Sequence, residues 1–228
     1  MPLILSIETS TTVCSIAITD GDKIVATQKL FLEKSHSNLL TILIQDTLKQ
    51  CSLGLKDFSA IAVSKGPGSY TGLRIGVSTA KGLCYALNKP LIAVPTLTAL
   101  AYEVNEQNTE NYLIAPMIDA RRMEVYTAVF DAELNQVLET APMILDEQSF
   151  SETLQYKSVL FFGDGSDKFQ SLMDGNANAK FVQDISPSAW AVGLLAHKKF
   201  LAEDFEDVAY FEPFYLKAFR ATVPKPLL

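Results

Sequence analysis

Between the apolar run Ala60 to Ser64 and the amphipathic stretch that begins near Ser69, the chain reads Lys-Gly-Pro-Gly and continues Ser-Tyr-Thr-Gly-Leu-Arg-Ile-Gly-Val-Ser-Thr-Ala-Lys-Gly to Gly82. A strand followed at once by glycine, proline and glycine must turn sharply before a helix can start, and glycine tolerates the positive φ such turns need. Ser69 or Thr71 is placed to cap the first free amides of that helix. The helix carries Leu73, Val77, Leu83, Cys84 and Leu87 on an apolar face, and beside it Gly72, Gly76, Ala80 and Cys84 recur at every fourth position. Such a stripe is nearly bare backbone, so another element can approach it closely. Two uses stay open: an anion site at the helix start, or a packing surface along its length. The spacing is neither a P-loop nor a dinucleotide fingerprint, because Gly66 and Gly68 are followed by Gly72, one residue too late.

Around this turn the hydrophobic pattern gives strands over Leu3 to Ile7, Val13 to Thr19 and Lys23 to Leu30, and a helix from Asn38 to about Gln50 with Leu40, Leu43, Ile44 and Leu48 on one face. The strand Ala60 to Ser64, the glycine helix, a strand Leu91 to Val94 and a helix Leu97 to Val104 complete the order βββαβαβα. After the polar stretch Asn105 to Asn111 the pattern restarts. Strands fall at Tyr112 to Ile118, Glu124 to Phe130 and Gln136 to Thr140, then a short helix, a strand Ser158 to Phe162, the turn Gly163 to Ser166 and further helices.

Two such halves, each opening on a strand that ends in a carboxylate, resemble the two-lobed α/β, ribonuclease H-like layout of the actin, Hsp70 and sugar kinase (ASKHA) superfamily. The expected lobes are 1–105, with the partner-binding helices, and 106–228. In that superfamily nucleotide lies between the lobes, and the resemblance implies that Glu8 and Asp119 face one another across a cleft. These carboxylates read equally as a metal or acid–base pair and as turn anchors, with Arg74, Arg121 and Arg122 available as counterions. Gly163 and Gly165 read either as nucleotide contacts or as a plain strand-to-helix loop. The hairpins read Glu8-Thr9-Ser10 and Asp119-Ala120-Arg121, with no glycine to let backbone amides approach a phosphate. ATP-dependent phosphotransfer is therefore the alternative function, and weak adenine-nucleotide binding between the lobes stays open.

The remaining chemistry is sparse. Among 228 residues there are two histidines and three cysteines, Cys14, Cys51 and Cys84, far apart in apolar surroundings. This argues for reduced core thiols and against a disulfide framework or a metal site. His36 and His197 sit in helical pattern with no nucleophile elbow, so a peptidase reading is the weaker alternative. The formal charge of −7 opposes unaided nucleic-acid binding. No stretch is long and apolar enough to span a bilayer, and the start lacks a signal-peptide pattern, so the expected location is cytoplasmic with no membrane contact.

Several motifs together resemble the TsaB (YeaZ) family: Ile7 to Ser10, Ser35-His36-Ser37, Gly66 to Gly76, Asp119-Ala120-Arg121 followed by Glu124-Val125-Tyr126, and Glu212-Pro213-x-Tyr215-Leu216. The resemblance implies a non-catalytic subunit that binds and activates TsaD in making N6-threonylcarbamoyladenosine beside the anticodon of tRNAs reading codons that start with A. It implies a homodimer when alone, a heterodimer with TsaD, the ATPase TsaE in a larger complex, tRNA contact only through that complex, and no cofactor. The histidine ligands of the catalytic relative are replaced by Thr96-Leu97-Thr98-Ala99-Leu100. Family members pair through first-lobe helices, which assigns the interface to Leu40, Leu43 and Ile44 on one helix and Gly72, Leu73, Gly76, Val77, Ala80 and Cys84 on the other. Replacing Gly76 by Leu is then expected to abolish association and leave the monomer folded. Lys217, Arg220 and Lys225 make the tail locally basic, read as a solvated tail or as an aid to tRNA steering.

Overall fold

A computed structural model describes residues 1–31 and 36–217; Ser35, Arg220 and Lys225 lie outside the described residues. Strands β1 (Leu3–Glu8), β2 (Val13–Asp20) and β3 (Lys23–Phe31) form an antiparallel meander followed by helix α1 (His36–Gln50). Strand β4 (Ala60–Gly66), helix α2 (Tyr70–Leu87), strand β5 (Leu91–Pro95) and helix α3 (Thr96–Asn105) complete the first half. The second half repeats the order with β6 (Leu113–Asp119), β7 (Glu124–Phe130), β8 (Gln136–Ile144), α4 (Ser151–Leu154), β9 (Val159–Phe162), α5 (Ser166–Gln170), β10 (Ala179–Val182) and α6 (Ala189–Leu201). The sheets have matching strand orders, β3-β2-β1-β4-β5 and β10-β9-β6-β7-β8, and in each the last two strands in sequence are parallel additions. This is the expected two-lobed fold. Strand β10, absent from the sequence reading, completes the duplication; four residues with an exposed Lys180 are too short to show a period.

Alternation along β1 divides the first core. Leu5 and Ile7 meet Leu40, Leu43 and Ile44 of α1 and Val77, Ala80 and Cys84 of α2, all buried, whereas Ile4 meets Ala191, Val192 and Ala196 of α6 on the other face. Each large side chain buried there contributes roughly 1.5–3 kcal/mol. Helix α6 thus packs on the first sheet although it follows the second, and α3 packs Leu97, Leu100, Ala101 and Val104 on the second. The expected lobe 106–228 is corrected accordingly. Helix α6 lies close to β1 and β2, where a Cβ on Gly193 would stand 2.7 Å from Thr19 Cγ2.

Residues 203–217 also return to the first lobe. Glu206 bridges to Leu91, the Lys81 ammonium donates to the carbonyls of Ala209 (3.2 Å) and Phe211 (2.9 Å), and the Phe214 amide donates to Lys65 O (2.7 Å). The segment then packs Tyr215 on Tyr70 in a tilted pair, 4.7 Å between ring centroids, and pairs Lys217 with Glu124 of the second lobe. The described part of the tail is a strap across both lobes, not a solvated end.

Candidate functional site

The ends of β1 and β6 carry the two hairpins where a nucleotide-binding relative would hold phosphate. In the first, Thr9, Ser10 and Thr11 are buried. They are covered by the start of α2: the Ser69 amide donates to Ser10 O (2.6 Å), and Thr9 Oγ1 donates to Gly72 O (2.8 Å). A Cβ on Gly68 would overlap Ser10 O, one on Gly72 would overlap Thr9 O, and one on Gly76 would overlap Thr9 Oγ1. The glycine spacing is thereby explained, because each glycine admits one atom of the hairpin. Ser69 caps α2 by accepting the Gly72 amide at 3.3 Å. The packing-surface reading of the stripe holds, but its partner is the chain's own hairpin.

Glu8 follows from the β1 alternation that places it on the α3 and α6 side, and it is fully buried. Its Oε1 accepts the Ser10 amide at 2.6 Å; Oε2 and the hydroxyls of Ser10 and Ser64 lack hydrogen-bond partners among the described residues. Burial pushes the Glu8 carboxyl up, opposed by the neighbouring Ser10 and Ser64 and by the Lys29 charge. Glu103 of α3 faces the same ammonium, and burial carries its carboxyl up to about 8. Burial also lowers Lys29, whose Nζ donates to Ser186 O at 2.6 Å and so ties β3 to the segment leading into α6. The Lys29 charge thus acts on both carboxylates, with no direct ion pair to either among the described residues.

The second hairpin is held from inside by a lysine. Lys168 of α5 donates to Asp119 Oδ1 (2.6 Å), Arg122 O (2.8 Å) and Glu124 O (2.9 Å). Asp119 Oδ1 also accepts the Arg121 amide at 2.6 Å, and the Asp119 amide donates to Asp164 Oδ1 at 2.9 Å. Gly163, at φ +97°, and Gly165 are needed because a Cβ on either would run into the end of β6. The loop reading accounts for both glycines.

These placements correct two expectations. Glu8 is fully buried beside Ser10 and Ser64 with the Lys29 charge acting on it, while Asp119 is half exposed and engaged by Lys168 and Asp164. The counterions are lysines, since neither Glu8 nor Asp119 pairs with Arg74, Arg121 or Arg122 among the described residues. The assigned interface side chains Leu40, Leu43, Ile44, Leu73, Val77, Ala80 and Cys84 are buried in the first core, and Gly72 and Gly76 are buried under the hairpin. What the two helices present outward is different: Ile42 on α1, and on α2 the stripe Thr71, Arg74, Ser78, Gly82 and Tyr85, the last 86% exposed. The helical period carried this outer stripe too, but its polar members read as ordinary solvated surface.

Other candidates are structural. His36 Nε2 lies 3.0 Å from Val13 O, and the His197 Nδ1 is buried in α6. Burial pushes the Cys14 thiol up to about 11 and Cys84 to about 12, which makes both poor nucleophiles. Among the described residues no three His, Cys, Asp or Glu side chains gather to hold a metal, and no helix is long and apolar enough to cross a membrane.

Comparison with known proteins places this geometry. The family model described as TsaD, tRNA N6-adenosine threonylcarbamoyltransferase, matches residues 22–224. The tRNA threonylcarbamoyladenosine biosynthesis protein TsaB of Bacillus subtilis (strain 168) is 33% identical, with 94% of this chain and 93% of the relative covered. A solved protein of Pseudomonas aeruginosa, described as similar to peptidase YEAZ, superposes with a TM-score of 0.83 over 95% of this chain and all of that one, at 24% identity. The activator of 2-hydroxyisocaproyl-CoA dehydratase from Clostridium difficile, solved with ADPNP, shares the fold at a TM-score of 0.53 and 10% identity, over 90% of this chain and 98% of that one.

Proposed function

This chain belongs to the TsaB (YeaZ) family, and on that premise we propose that it is a non-catalytic subunit that binds and activates a TsaD-type protein. The reaction served is formation of N6-threonylcarbamoyladenosine next to the anticodon of tRNAs reading codons that start with A, in the cytoplasm. The observation that carries this reading is that both hairpins are filled by the chain itself, the first by the glycine face of α2 and the second by the Lys168 ammonium. Phosphate binding at such hairpins draws on open backbone amides. Here the Ser10 amide is taken by Glu8 and the Arg121 amide by Asp119.

The partner surface in this proposal is the outer face of α1 and α2, centred on Ile42, Ser78, Gly82 and Tyr85. Gly82 has open space where a Cβ would stand, so a partner helix can come close beside an exposed tyrosine. A second copy of the chain occupies this face when it is alone and TsaD displaces it, with the ATPase TsaE joining the larger complex. No cofactor is assigned to this subunit. The test is reconstitution from purified components: TsaD, TsaE, the activated threonylcarbamoyl donor and tRNA form the modified nucleoside only when this chain is added, and the chain without TsaD forms none. Product from the chain alone would reject the proposal.

A further inference from the structure

The tip of the second hairpin carries two arginines that the fold does not use. Arg121 and Arg122 are exposed and stand at φ +73° and +52°, a left-handed pair that is unfavourable for non-glycine residues. The hairpin's own carboxylate does not answer their charge, because Asp119 is already engaged by Lys168 and by the Arg121 amide. Neither guanidinium makes a hydrogen bond or ion pair among the described residues, and the same is true of Arg74. In a chain of formal charge −7, these are uncompensated cations with their planar donor forks free.

Aromatic rings lie between them. Tyr126 lies on β7, the strand that leaves this hairpin, and the Lys217 ammonium sits 5.7 Å from its ring centroid while pairing with Glu124. Two residues before Lys217, Tyr215 packs on Tyr70 with the two rings tilted by 32°, and both Arg74 and Glu212 act on its hydroxyl. All three tyrosines are partly exposed. The strap therefore carries a band of tyrosine rings from the side of the hairpin arginines to that of Arg74 across both lobes, with Lys217 paired to Glu124 and Glu212 beside Tyr215, so that the arginines are the cations of this band left without an ion pair among the described residues.

We propose that this band, anchored on Arg121 and Arg122, is a contact for single-stranded RNA; the inference rests on the reading that the chain serves tRNA modification. Guanidinium forks match phosphate oxygens bidentately, and tyrosine rings accept unstacked bases, which loops offer and duplexes do not. The acidic remainder of the chain keeps the contact weak and sensitive to salt, so it acts mainly within the complex.

The test uses fluorescence anisotropy of a labelled anticodon stem-loop, with a full duplex of the same length as control. Each is titrated with the full chain at low salt and with the chain mixed with its TsaD partner. The variant is Arg121→Gly with Arg122→Gly, which removes both cations at positions whose φ suits glycine. Binding of the stem-loop should weaken at least tenfold, with a salt slope lower by about 1.4, two phosphate contacts on a single strand. The unfolding midpoint and co-elution with TsaD should be unchanged. Equal affinity and slope for variant and parent would overturn the proposal, as would equal binding of duplex and loop. Loss of TsaD association with RNA binding retained would make the arginines a protein contact instead. Because the low-salt titration of the chain alone does not need TsaD, failure of the scaffold reading and failure of the RNA contact can be told apart.

Discussion

Two glycines on one helix face opposite fates when a methyl group is added. Gly72→Ala places a Cβ on Thr9 O and disturbs the acceptor of the buried Thr9 hydroxyl. Forcing an extra carbon into a packed site costs about 1–3 kcal/mol, and a buried hydroxyl left without its partner about 1–3 more. Against this stands the better helix propensity of alanine, about 1 kcal/mol. The net loss is about 3 kcal/mol, which for a chain of this size lowers Tm by roughly 6–12 °C. Gly82→Ala, ten residues along the same helix, meets nothing within 4 Å and keeps only the propensity gain of up to about 1 kcal/mol. Urea unfolding followed by far-UV circular dichroism measures both, and the comparison is internal. Equal shifts in the two variants would refute the hairpin-clamp account of the glycine motif. By the same geometry Gly76→Leu acts on folding itself, since its side chain would enter the space of Thr9 Oγ1; it is no clean probe of association.

Other outcomes follow from the same contacts. The Glu103 carboxyl titrates near 8 in the folded chain and near its ordinary, lower value unfolded, so the folded state holds the extra proton between them. Its contribution is fullest below the unfolded value and is lost as pH rises to about 8, at most about 1.4 kcal/mol per pH unit; Glu103→Gln should flatten that slope in urea midpoints taken from pH 5 to 9. Lys168→Met removes the ammonium from three acceptors and should cost about 1–3 kcal/mol, read as faster tryptic cleavage after Arg121 and Arg122. Tyr85→Ala should weaken association with TsaD by roughly tenfold or more while leaving the unfolding free energy of the monomer, taken at concentrations too low for self-association, within about 0.5 kcal/mol; unchanged association would move the interface off α2.

Much of this architecture is legible in the residues. The apolar run Leu3 to Ile7, the alternation in Val13 to Thr19, the apolar faces of α1 and α2, and the restart after Asn111 are local patterns with local causes, and they place every named strand but β10. Tertiary choices are less legible. The stripe Gly72, Gly76, Ala80 announces a close approach, but nothing in its spacing says that Thr9 and Ser10, more than sixty residues earlier, make it. Likewise the counterions of Glu8 and Asp119 turn out to be Lys29 and Lys168, brought in by β3 and α5. An arginine two residues from a carboxylate has no geometric claim on it when the hairpin turns the guanidinium outward. The exchange of α3 and α6 between sheets is written in Ala191, Gly193 and Ala196, whose small side chains suit either sheet until the packing is seen.

The central claim is that this chain acts by pairing with a TsaD-type protein through the outer face of α1 and α2. Size-exclusion chromatography with light scattering, on the chain alone and mixed with TsaD from the same cell, tests it most directly. The account predicts a homodimer that is replaced by a one-to-one heterodimer as TsaD is added, and a Tyr85→Ala chain that no longer makes the exchange. A chain that never co-elutes with TsaD would contradict it, and would return attention to the buried Glu8 and the partly buried Lys29 and Glu103 near it as a site in its own right.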